Sequence, residues 1–140
     1  MKRCYRRLWS AGLALILVLS LSGCYSYRKK TYYSDRNNYI TEEATVENII
    51  YDGERNNIVL WLSDIDPQYQ SEAFIFRGEN AATVLENGIL SKLKIGDTIT
   101  FTSAPRYFGN GYFMPIVELY IGEEAILEFE IGYQNLLDSY

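Results

Sequence analysis

Histidine is missing from the 140-residue chain, and that absence removes more chemistry than any residue present supplies. Ser-His-Asp and Cys-His nucleophilic systems are excluded, as are zinc sites with a histidine ligand. Cysteine occurs only twice, as Cys4 and Cys24. Long apolar runs are missing as well. The uninterrupted run at residues 11–19 is well short of the roughly 18 to 20 residues that a transmembrane helix needs. No internal repeat is visible. Residues 42–140 also lack clustered cations: they carry seventeen carboxylates against five Lys and Arg, a net charge of −12. Nucleic acid is therefore not expected as a partner, because phosphate binding depends on grouped Lys and Arg.

What is present begins with an export signal. Lys2, Arg3, Arg6 and Arg7 precede the apolar run, and small residues follow it, the three-part layout of a secretory leader. The run stops at Leu21-Ser22-Gly23-Cys24, which resembles the lipobox of bacterial lipoproteins. That resemblance implies cleavage before Cys24 and a diacylglyceryl group on its thiol. The protein would then be lipid-anchored in the cell membrane, facing outside the cytoplasm. Residues 1–23 would be the signal peptide, and Cys4 would leave with them. Cys24 would then have no thiol to pair with, and acylation would remove its own thiolate chemistry. Without residues 1–23 the formal net charge moves from −5 to −9.

Residues 24–41 read as a flexible basic tether, with Arg28, Lys29, Lys30 and Arg36 against Asp35 and no apolar periodicity. Its cations suit anionic headgroups, at up to about 1 kcal/mol each, although a plain soluble spacer has the same composition. As a coil it averages roughly 20 to 25 Å, which keeps residues 42–140 close to the bilayer.

Those residues are enough for one hydrophobic core. A β-branched run at 44–51, the turn signals Asp52-Gly53 and Asn56-Asn57, and a second run at 58–63 predict a hairpin. In the second run Ile58, Leu60 and Leu62 alternate with Val59, Trp61 and Ser63, which sets Trp61 on the face opposite the apolar row. A third strand is predicted at 73–77. Asn80 is a plausible N-cap for a helix over about 81–93, where Leu85, Ile89 and Leu93 share a face and Gly88 is a weak point. Strands follow at 98–103 and about 112–121, joined through Gly109-Asn110-Gly111. Pro115 implies an edge or a bulge in the second of these. A last strand is predicted at 125–131, before a helical turn ending near Leu137.

Three strands, a helix and two strands resemble the OB fold, a small five-stranded barrel, over roughly residues 44–121. The expected class is therefore mainly β: an OB-like barrel of five or six strands with one helix between the third and fourth. The strings GDTITF (96–101) and GYQNLL (132–137) are similar to segments of small lipoproteins of Gram-positive bacteria.

Candidate chemistry is sparse. Asp64 and Asp66, with Glu72 downstream, faintly resemble a calcium loop, but Pro67 interrupts it and the central glycine is missing. Asp52-Gly53-Glu54 reads first as a turn. Glu128 and Glu130 would share one face of a strand, as a carboxylate-dependent hydrolase would require; a solvated strand face has the same pattern. No metal or cofactor is expected. The best candidate binding segment is Arg106, Tyr107 and Phe108 with Tyr112 and Phe113 around the tight turn, joined by Trp61 from the second strand. In an OB fold this loop helps to frame the ligand face. Its aromatics could stack on a glycan or fill a pocket of an envelope protein, or simply close the end of a barrel. The expected function is a non-catalytic binding module at the cell envelope. The alternatives are an assembly lipoprotein docked on a membrane-protein complex, and the hydrolase.

Overall fold

A computed structural model describes residues 23–108 and 111–140. The predicted leader and the start of the lipobox, together with Gly109 and Asn110 of the predicted hairpin turn, lie outside the described residues. The chain divides into two compact units, Met1–Ser34 and Asp35–Tyr140. In the first, residues 23–34 form helix α1 where the composition predicts an irregular segment. Residues 25–34 contain neither glycine nor proline to interrupt a helix. Thr31 also donates its hydroxyl to the Tyr27 carbonyl (2.8 Å), a local bond a helix accommodates. Among the described residues no helix is long and apolar enough to cross a membrane.

The second unit opens with a 3-10 turn, Arg36–Asn38, whose N-cap Asp35 accepts from the Asn37 N–H. Then comes β1 (Ile40–Asp52), four residues earlier than the β-branched run suggested. Its length lets it serve two partners. Ile40–Thr45 pairs antiparallel with β4 (Thr98–Ser103), and Thr45–Asp52 pairs antiparallel with β2 (Asn57–Ser63). The register shifts between Val46 and Asn48, a bulge of the kind that bends a strand from one neighbour to the next. Next, β2 pairs with β3 (Ala73–Arg77). β4 pairs with β5 (Phe113–Ile121). A short parallel pairing of Ala73–Ile75 with Phe113–Pro115 joins β3 to β5. Five strands thus follow one another in a hydrogen-bonded ring, with β6 (Glu124–Leu127) added on β5.

Side chains alternate as predicted along β2, whereas Ala73–Phe76 of β3 are buried on both faces. Ile58, Leu60 and Leu62 from β2, Phe74 and Phe76 from β3, and Ile99 and Phe101 from β4 are buried together. Thr102 departs from the pattern: it is 2% exposed although it should face outward. It is satisfied there by Thr41 (2.7 Å) and the Glu118 carboxylate in one cross-strand row. Pro115 lies beside the expected irregularity, where the β4–β5 register shifts opposite Ser103.

Helix placement differs from the expectation. The single helix over 81–93 is two, α2 (Gly78–Glu86) and α3 (Ile89–Lys92). They part at Gly88, whose left-handed φ of 79° is a conformation residues with a Cβ adopt only at a cost. Asn80 is not the cap, because α2 starts two residues earlier with Arg77 at that position. A further helix, α4 (Phe129–Asp138), replaces the end of the predicted last strand. Gly132 explains how α4 seats: a Cβ there would come within 2.0 Å of the Val117 carbonyl oxygen. Only glycine permits so close an approach of α4 to β5.

Candidate functional site

Trp61 projects outward from β2, 40% exposed, opposite the row that fills the core. Directly paired residues across strands share a face, and Trp61 pairs with Ala73, which pairs with Phe113. Of these three, Ala73 is fully buried and Phe113 half-buried, so Trp61 is the member that reaches the surface. Beside it the β2–β3 loop, residues 64–72, folds back toward the ring. Tyr69 anchors that loop from below: it is 8% exposed. Its ring meets Phe74 edge-on with centroids 5.0 Å apart, and its hydroxyl donates to the Ile40 carbonyl (3.3 Å).

Three hydrogen bonds stitch this loop to the β4–β5 loop. The Gln70 N–H donates to the Pro105 carbonyl (3.1 Å). The Tyr107 N–H donates to the Gln70 side-chain oxygen (3.2 Å), and the Ser71 hydroxyl donates to the Tyr112 carbonyl (2.6 Å). Between the loops lies an open groove of about 620 Å³, walled by Trp61, Ile65, Tyr69 and Tyr112, with Asp66 and Glu72 among the polar lining. That volume falls within the ~300–1,000 Å³ of ordinary ligand sites.

The predicted aromatic segment is divided by this arrangement. Tyr112, 70% exposed, lines the groove together with Trp61. Tyr107 packs against the hydrophobic core while its ring meets that of Tyr112 edge-on at 5.5 Å. Its ring thus lies against both the core and Tyr112. Phe108 and Phe113 are half-buried, and Arg106 is exposed; none of the three lines the groove. Of the β2–β3 wall, the sequence marked Asp66 and Glu72 as members of a faint calcium-loop pattern and left Tyr69, an aromatic inside a polar, proline-containing loop, unremarked.

The acidic candidates have local tasks. Asp64 accepts from the Thr45 hydroxyl (3.0 Å), and Asp66 accepts from the Gln68 N–H (2.8 Å). The Asp66 N–H in turn donates to both oxygens of the Glu42 carboxylate, at 3.1 and 3.2 Å. Burial pushes the Glu42 carboxyl above its ordinary range, the Asp66 N–H opposes that shift, and the nearby Asp66 charge adds to it. Asp52 accepts from the Glu54 and Arg55 N–H groups and so builds the turn. Glu128 and Glu130 do not share a strand face, because Glu128 is the N-cap of α4 and Glu130 lies in its first turn. No group of three or more metal-ligating side chains comes together among the described residues.

Arg36, read as a tether cation, is occupied. It pairs with both oxygens of Glu130 at 2.6 and 2.7 Å and lies over the ring of Tyr133, 4.6 Å from its centroid. That pairing holds the Glu130 carboxyl below its usual range. Cys24 is a free, exposed thiol. Comparison with protein-family models, with curated proteins and with solved structures returns no match.

Proposed function

We propose that the chain is a lipid-anchored binding module of the cell envelope, acting without catalysis through the groove between its β2–β3 and β4–β5 loops. The observation that carries this reading is the convergence of Trp61 and Tyr112, from distant parts of the sequence, on one open groove whose two walls are hydrogen-bonded to each other. Large aromatic faces are costly to leave in water unless a partner covers them. The anchor is supported by Leu21-Ser22-Gly23-Cys24 and by the exposure of the Cys24 thiol. An OB-like barrel is the finer reading of the ring, supported by its closure through the β3–β5 pairing and by α2 and α3 between β3 and β4. In that fold the β4–β5 loop borders the ligand face, which agrees with the position of Tyr112. The β1–β2 turn lies at the other end of β2, so the β2–β3 loop takes its place as the second wall here.

Photo-cross-linking in native membranes tests the reading. A photoreactive residue at position 112 is expected to yield adducts that Trp61→Ala abolishes and that are not formed from position 95, itself exposed. The same adducts from both positions, or their persistence in Trp61→Ala, would overturn it.

A further inference from the structure

Resting on the groove as the binding site, we infer that its occupant is a basic polypeptide segment, whose Lys or Arg side chains enter between Trp61 and Tyr112 and meet Asp66 and Glu72. Three observations converge on this chemistry. First, the lining combines two exposed aromatic side chains with two carboxylates. An ammonium or guanidinium group gains from both at once, through the ring faces and through charge-assisted hydrogen bonds. Second, among the described residues neither Asp66 nor Glu72 forms an ion pair and no cationic residue lines the groove. Glu42 adds a third carboxyl behind Asp66. The negative charge is thus uncompensated at the place where aromatic surface is exposed.

Third, the surroundings reinforce the sign. Residues 42–140 carry −12, so an anionic glycan or phosphate polymer would approach against the field, while a basic segment is drawn in. The groove is open along its mouth and does not enclose a small amine on all sides. It suits one or two side chains presented by a longer chain that continues over the surface.

The chain itself supplies the probe. Its two tryptophans are Trp9 and Trp61, so in the full-length Trp9→Phe protein, held in nonionic detergent, Trp61 fluorescence reports the groove alone. A short alternating Lys-Ala peptide is expected to change that fluorescence saturably, whereas a Glu-Ala peptide of equal length leaves it unchanged. Asp66→Asn with Glu72→Gln should weaken the lysine peptide at least about tenfold, as the loss of a charge-assisted contact would, while the circular dichroism spectrum stays that of the parent. No response to the lysine peptide, or equal affinity in the double variant, overturns the inference. If a neutral N-acetylglucosamine oligomer shifts Trp61 and the lysine peptide does not, the groove stands as a binding site and its basic occupant falls. If neither moves Trp61 and cross-linking from position 112 also fails, the groove falls too.

Discussion

Glu42 and Glu130 show how two exposed-looking glutamates acquire opposite linkage to folding. Burial holds the carboxyl of Glu42 above the ordinary glutamate value of 4.5, so its ionised form is disfavoured in the folded state. The unfolded chain then releases this proton first, and stability is lost as pH rises from 4.5 through the higher folded value. Glu130, held below 4.5 by Arg36, works the other way: its contribution is present above 4.5 and is lost as pH falls through the lower folded value. Glu42→Gln removes the first effect and leaves the second. Its stability relative to the parent is expected to increase as pH rises through the carboxylate range and then level off. Urea unfolding at intervals between about pH 3.5 and about pH 7 reads this directly. A difference independent of pH, or one that shrinks as pH rises, would refute the assignment.

Among the secondary-structure elements, the strands were legible and the helix ends were not, for a physical reason visible at Asn80. A strand is written in strict alternation, so Ile58, Leu60 and Leu62 or Ile99 and Phe101 mark their own faces. A cap is written in one polar residue, and an asparagine has other uses. Asn80 is 4% exposed. Its side-chain amide donates to the Gly132 carbonyl (2.9 Å), and its side-chain oxygen accepts from Asn135 (3.0 Å). It joins α2 to α4 and does not start α2. Nothing local to residues 78–86 discloses that task, because its partners lie more than fifty residues away. The same holds for α4, whose first residues alternate like a strand but whose Gly132 allows contact with Val117. Asn80→Ala is accordingly expected to cost about 1–3 kcal/mol by leaving buried polar partners unmet. Amide exchange in α4 should accelerate more than exchange in β2. Uniform acceleration through both elements, or a loss below about 0.5 kcal/mol, would place Asn80 outside the α2–α4 joint.

For the molecule as a whole, the ring and the groove had different visibility. Element order disclosed most of the strands, but the closing β3–β5 contact is a non-local pairing of three residues that no local pattern records. The groove depends on the two loops meeting beside that contact, so Trp61 and Tyr112, and separately Asp66 and Glu72, could be singled out beforehand but their convergence could not. Charge, by contrast, is a property the composition states outright. Seventeen carboxylates share five cations over residues 42–140, and Lys92 is engaged by Glu124 and Arg55 lies near Asp52, so most carboxylates have no cation to offset them. Self-repulsion of this kind destabilises the compact state and is relieved by salt. Raising sodium chloride from about 20 mM to about 300 mM shortens the screening distance from roughly 20 Å to about 6 Å. The Tm of the full chain in nonionic detergent is expected to rise by a few degrees across that range. The same screening should weaken the lysine peptide at the groove, because there the charges attract. Salt therefore has to move folding and peptide binding in opposite directions. A Tm that stays flat or falls would mean that the net charge does not oppose folding. Peptide affinity indifferent to salt would mean that Asp66 and Glu72 do not face the ligand's cations.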